Sequence, residues 1–115
     1  MKLGFLGTGN ITSDVVTGIC NSKLRFKQIV ISPRNKNKAK KLKKKFKKIV
    51  IGKNNQEFID KSDWVFIGVL PKVAEKILPN LKFKKNQVVV SFVATLSFSK
   101  LKKKINCQVN LVRAI

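Results

Sequence analysis

Two glycines end a short apolar run at the start of the chain. Leu3–Leu6 leads into Gly7 and Gly9, followed by Asn10, Ile11 and Thr12. Glycines two apart after an apolar strand suit a loop that holds a pyrophosphate. The first permits the tight strand-to-helix turn, and the second leaves no Cβ between backbone and phosphate. An amphipathic segment follows, with Val15, Val16, Ile19 and Cys20 at helical spacing. The N-terminus of such a helix offers unpaired N–H groups and a partial positive charge to an anion. Thr12 stands where a third glycine would let helix and strand pack closely; it is small enough to do so less tightly. The plain alternative is a strand–turn–helix connection whose glycines serve turn geometry alone. The place of the pair, after an apolar N-terminal strand and before an amphipathic helix, favours nucleotide binding.

The end of the second apolar run bears on which nucleotide. A site for NAD places Asp or Glu about 20 residues past the loop, on the ribose hydroxyls. Here Ser32, Arg34 and Asn35 stand instead, with no carboxylate among them. A serine hydroxyl can donate to a phosphate and a guanidinium can grip a dianion bidentately, so the expectation is the 2′-phosphate of NADP, with NAD as the alternative. A solvated loop residue is the other reading of Arg34. Two further stretches follow strand-like runs, where ligands bind in an open α/β sheet. In Gly68–Lys72, Pro71 starts a helix and leaves preceding N–H groups for the cofactor's ribose or phosphate. In Ser91–Ser97, Ala94 and Thr95 are small enough for a nicotinamide ring to approach the backbone. Ordinary strand-to-helix turns are the alternative for both.

These loops need a frame that brings them to one edge. Runs rich in Val, Ile, Leu and Phe occur at Leu3–Leu6, Gln28–Ser32, Ile49–Ile51, Trp64–Gly68, Gln87–Ser91 and Gln108–Val112. Continuous apolar runs read as strands buried on both faces, the habit of a parallel sheet. Helical segments alternate with them at Ile11–Asn21, Lys36–Lys47, Gln56–Lys61, Val73–Leu78 and Phe98–Lys104, the last after Ser97 as N-cap. The expectation is an α/β fold: a doubly wound, mostly parallel six-stranded sheet in three αβα layers, in the order 3-2-1-4-5-6.

At 115 residues, 43% of them hydrophobic, the chain suits one domain, residues 1–115. The net charge is +21, and nearly all of the excess is Lys; only Arg25, Arg34 and Arg113 carry guanidinium groups. With abundant Asn, Ile and Phe, this reads as compositional bias more than as a polyanion site, since a dedicated groove reader favours Arg. The run Asn35–Lys48 reads as the solvated face of an amphipathic helix, with a polyanion-binding face as the alternative. Phe46 is the single aromatic residue in that run, too few for the interleaving that single-strand stacking needs, so nucleic acid is not the expected partner. Cys20 and Cys107 read as small buried hydrophobes in a reducing compartment, and with no His in the chain no metal site is expected. No signal peptide or membrane-length apolar stretch is visible, which points to a cytoplasmic protein. Asp14, Glu57, Asp60, Asp63 and Glu75 are all the carboxylates, expected mostly at helix starts or on exposed faces, and none is assigned a catalytic role.

Together these residues resemble the N-terminal NADP-binding domain of the pyrroline-5-carboxylate reductase family. Its pattern G-x-G-N-[MI]-[AGST] is matched by Gly7, Gly9, Asn10, Ile11 and Thr12. Ser32 and Arg34 match the Ser or Asn and Arg after the second strand. Val69 and Pro71 match V-K-P with Leu70 replacing Lys. Ser91 and Ala94 match S-x-x-A-G with Thr95 replacing Gly, and Arg113 matches the start of R-x-M-P-N. The resemblance implies an oxidoreductase domain in which Gly7, Gly9, Asn10 and Ile11 hold the pyrophosphate. Ser32 and Arg34 would hold the 2′-phosphate; Val69, Pro71 and Ala94 would line ribose and nicotinamide. It implies hydride transfer from NADPH to a cyclic imine, in proline biosynthesis. It also implies a helical C-terminal domain, absent from these residues, that binds substrate and forms a homo-oligomer. Leu70 and Thr95 fall in the loops nearest the reacting ring, so the small-molecule substrate can differ. The same pattern is similar to deazaflavin-dependent NADP reductases and, more distantly, to hydroxyisobutyrate-dehydrogenase-like enzymes. The alternatives from another class are a basic nucleic-acid-binding module and an inactive nucleotide-binding fragment.

Overall fold

The structure is a computed structural model that describes residues 1–7, 10–32, 36–93, 97–105 and 109–114; the side chains of Asn10, Ile11 and Phe98 lie outside the description. Short β-branched runs form six strands: β1 Lys2–Leu6, β2 Gln28–Ile31, β3 Ile49–Ile51, β4 Trp64–Ile67, β5 Val88–Ser91 and β6 Asn110–Arg113. Five α-helices lie between them: α1 Asn10–Cys20, α2 Lys36–Lys45, α3 Asn55–Asp60, α4 Pro71–Ile77 and α5 Phe98–Lys104. A 3₁₀ turn, Leu78–Asn80, extends α4.

The sheet order is β3-β2-β1-β4-β5-β6, and every pairing is parallel. The doubly wound topology expected from the alternation is therefore present, with a sheet that is wholly rather than mostly parallel. Register places Leu3 beside Ile29 and Trp64, and Trp64 beside Val88. Because side chains alternate along each strand, this register divides the core in two. On one face Leu3, Phe5, Ile29, Ile31 and Ile49 pack with Val16, Ala39 and Leu42 of α1 and α2. On the other, Leu6, Val30, Val65, Ile67 and Val89 pack with Phe58, Ile59, Ala74 and Leu101 of α3, α4 and α5.

Local chemistry sets the helix starts. The Asn54 side chain accepts from the Glu57 amide at 2.8 Å while Glu57 Oε2 accepts from the Lys53 amide at 3.0 Å, a reciprocal cap for α3. Ser97 Oγ accepts from the Lys100 amide at 3.3 Å and starts α5 as the sequence implied. Pro71 takes the first position of α4, where its missing N–H costs nothing. In α2 only Ala39 and Leu42 are buried; the lysines surround them on the solvated side. Gln87 is buried, and its amide ties the α3–β4 turn to β5 by donating to Ile59 O and Ser62 O, both at 2.8 Å.

Two expectations need correction. Cys20 is half-buried, not buried: it is the last residue of α1 and packs only against the margin of the core. Burial on both faces holds for β1 and β2 and for most of β5 but not throughout: Val50 and Ile51 of β3 are half-buried, and Trp64 is 39% and Val112 47% exposed. Cys107 lies outside the described residues.

Candidate functional site

The C-terminal ends of β1, β2, β4 and β5 form one edge, and the ladder carries past them. Ser32 N donates to Phe5 O, Gly68 N to Leu6 O and Phe92 N to Ile67 O, at 2.9–3.0 Å. The first residue of each connecting loop is thus fixed to its neighbour, which sets where the loops begin.

Gly7 is held most tightly. Its φ is +94°, a conformation that side chains other than hydrogen rarely adopt. A Cβ built there would lie 2.6 Å from Gly68 O and 2.9 Å from Val69 Cγ1. Its N–H donates to Ser32 Oγ at 2.9 Å, and the Ser32 side chain is fully buried. The end of β2 therefore braces the turn that leaves β1, across 25 residues of sequence. The serine oxygen is the acceptor in this bond, so the hydroxyl proton stays available to a second partner.

Helix α1 begins three residues later, at Asn10. Its first turn carries no acidic residue, so nothing of negative charge competes with an anion at the helix's positive end. Thr12 is buried with its Oγ1 unpartnered, and a Cβ on Gly68 would collide with that oxygen. The space that a third glycine would open on the helix side is opened from the strand side, by Gly68. This compensation spans two loops, and no local signal reports it.

The sequence-derived residues fall as follows. Gly7, Ser32 and Val69 meet at the ends of β1, β2 and β4. Asn10 and Ile11 are the first two residues of α1, and Pro71 is the first of α4. Gly9, Arg34 and Ala94 lie outside the described residues, as does Thr95. Leu70, at the N-cap of α4, makes no side-chain cap and is 74% exposed. Sequence reasoning passed over Gly68 and the bracing use of Ser32; a glycine ending β4 was the only visible hint of the first.

The remaining polar groups show no reacting constellation. Among the described residues no group of three His, Cys, Asp or Glu could hold a metal ion, and no helix is long and apolar enough to cross a membrane. Burial raises the Cys20 thiol above its ordinary range, with Lys48 opposing in part, so it stays protonated at neutral pH and is a poor nucleophile. Of the carboxylates, Glu57 alone sits in the first turn of a described helix; its carboxyl is held below the usual range by the Lys61 hydrogen bond and then by the Lys53 amide. Among the described residues the edge carries groups suited to holding an anion and no carboxylate or thiol suited to acid–base work.

Comparison with known proteins supplies the family. Residues 2–95 match the family described as NADP oxidoreductase coenzyme F420-dependent. Pyrroline-5-carboxylate reductase 3 of Danio rerio is 26% identical over an alignment of 116 positions that covers 98% of this chain and 40% of the relative. The chain spans about two fifths of the length of the curated relatives it matches. A pyrroline-5-carboxylate reductase from Coxiella burnetii superposes with a TM-score of 0.86 at 20% identity, covering 98% of this chain and 43% of that one, a likeness of fold. Pyrroline carboxylate reductase of Plasmodium falciparum, solved with NADP bound, gives a TM-score of 0.75 at 25% identity over 91% of this chain and 38% of that one. With most of its length matched by the family model and its sheet by these neighbours, the chain belongs to the NADP oxidoreductase coenzyme F420-dependent family and is an NADP-binding oxidoreductase domain related to pyrroline-5-carboxylate reductase.

Proposed function

We propose that this domain binds NADPH for a reductase that reduces a cyclic imine of the pyrroline-5-carboxylate class, so forming proline. The observation that carries the reading is the Gly7 turn: a positive-φ glycine braced by Ser32 beneath the acid-free start of α1. Held by these residues, NADPH would supply the hydride for the imine carbon, and a proton from solvent or a further group would complete the reduction at nitrogen.

The chain's own residues bind and orient. Gly7, Gly9, Asn10 and Ile11 cradle the pyrophosphate with backbone amides. The Ser32 hydroxyl, its oxygen held by Gly7 N–H, points its proton toward the 2′-phosphate, and Arg34 supplies the guanidinium. Val69, Pro71 and Ala94 flank ribose and nicotinamide and keep water from the ring. The substrate groups, the oligomer and any catalytic acid belong to residues beyond this domain in the relatives' lengths.

A second reading rests on the matched family itself: the reduced partner is a deazaflavin, with hydride passing between it and NADP. The NADP site is common to both.

Fluorescence titration with NADPH and NADH tests the proposal. NADPH binds more tightly, and Arg34→Ala weakens NADPH about tenfold or more while leaving NADH unchanged, as expected for loss of a charge-assisted phosphate contact. Equal binding of the two nucleotides, with no effect of Arg34→Ala, sinks the NADP assignment. Reduction of pyrroline-5-carboxylate against that of a deazaflavin, by a protein of the relatives' full length, separates the two readings.

A further inference from the structure

At the end of α1 remote from Gly7, a cavity of about 290 Å³ opens between that helix and the α2–β3 turn. Its lining is Cys20, Ser22, Leu24, Phe26 and the run Lys45–Lys48, which includes Phe46. The lining mixes apolar side chains, Leu24, Phe26, Phe46 and Cys20, with the cationic Lys45, Lys47 and Lys48. Phe26 and Phe46 are half-buried, and Leu24 is 51% exposed with no apolar cover. Lys48 Nζ stands 4.9 Å from the Phe26 ring centroid, and Lys45 Nζ stands 5.7 Å from that of Phe46. Lys48 Nζ also donates to Phe26 O at 3.2 Å, which fixes that ammonium over the opening. No carboxylate lines the cavity.

Charge and shape together select an occupant. Three ammonium groups without a counter-ion favour an anion, and two ring faces with an exposed leucine favour an apolar body. A bare phosphate would leave the rings uncovered, and a neutral hydrocarbon would leave the lysines to water. The volume admits one or two fused rings or a short acyl chain. We propose that this cavity is a binding site for a small amphipathic anion, an aryl or acyl carboxylate or sulfonate. Its head group lies among Lys45, Lys47 and Lys48 and its body lies on Phe26, Phe46 and Leu24. Helix α1, 11 residues and so roughly 16 Å long, separates the site from the dinucleotide edge. The two ligands do not compete.

The test uses the 115-residue chain and the naphthalene sulfonate ANS as probe, with NADPH held at saturation. Expected is a single saturable site whose fluorescence persists under NADPH. The pair Lys45→Gln with Lys48→Gln weakens it about tenfold. Leu24→Ser, an exposed change that leaves the core intact, weakens it too. The charge-matched control, Lys103→Gln with Lys104→Gln on α5, leaves it unchanged. Displacement of ANS by NADPH, equal weakening by both lysine pairs, indifference to Leu24→Ser, or no saturable binding overturns the proposal. Each of these readouts is independent of whether NADPH or NADH is the preferred dinucleotide.

Discussion

On the face that carries α1 and α2, strands β1, β2 and β3 bury Leu3, Phe5, Ile29, Ile31 and Ile49, whereas β4 and β6 leave Trp64 and Val112 well exposed. The two halves have similar apolar content and are joined at the β1–β4 pair, where the Phe5 and Phe66 rings stack at 4.5 Å. Beyond that stack the cover thins. Phe66 meets Phe92 at 5.9 Å and Trp64 at 6.3 Å, and of these rings Trp64 is the most exposed at 39%. In the proposed binding mode the grip on a dinucleotide's phosphates rests on the better-packed half. Val69 and Leu70 rise from the other half. The lesson is that a binding edge can be firm at one end and lightly supported at the other within one continuous sheet.

Four measurements break or sharpen that contrast. Gly7→Ala has the largest effect. It forces a methyl into a positive-φ turn 2.6 Å from Gly68 O, so backbone strain and overpacking together cost about 3–5 kcal/mol. Urea unfolding reads the loss, and NADPH binding disappears in whatever fraction stays folded. Next come truncations in the two halves of the same face. Ile31→Ala removes a fully buried side chain and costs about 2–4 kcal/mol, while Val112→Ala costs less than about 1 kcal/mol. Equal costs would show that the β4–β6 face is as well covered as its neighbour.

Ser32→Ala follows. It leaves the Gly7 N–H buried without its acceptor, a penalty of about 1–3 kcal/mol. NADPH affinity falls with it, and Ser32→Thr, which restores the oxygen, recovers part of both losses. If Ser32→Ala is neutral in both assays, the brace carries no weight. The smallest effect lies on the opposite face. Glu57, held below its ordinary range by Lys61 and then by the Lys53 amide, contributes stability that is present above the unfolded carboxyl value, near about 4.3. That contribution is lost as pH falls through the lower folded value. Glu57→Gln therefore flattens the stability profile in this acid window and lowers stability slightly, by a constant amount, at neutral pH.

Much of the frame was legible in the residues because its signals are local. Apolar runs bounded by turns marked all six strands, Ser97 marked α5, and the alternation gave the strand order. Boundaries moved by a residue or two where a cap or terminus competed. Helix α4 starts at Pro71 instead of Val73, α3 starts behind Asn54, and α2 stops at Lys45 instead of Lys47. Exposure of Trp64 was not legible, since an apolar side chain does not report what lies above it. The site divides in the same way. The glycines announced the turn, but the bond from Gly7 to Ser32 and the contact of Thr12 with Gly68 join residues far apart in sequence. Such partners are defined by the fold alone.

The Thr12 and Gly68 contact has an evolutionary corollary. The two positions share one allotment of volume, so neither can drift alone. A descendant that acquires alanine at 68 survives by first shedding the threonine at 12, and one that regains glycine at 12 frees 68 to diversify. Paired substitution at these sites, with Gly7 invariant beside them, is the inheritance pattern this geometry dictates.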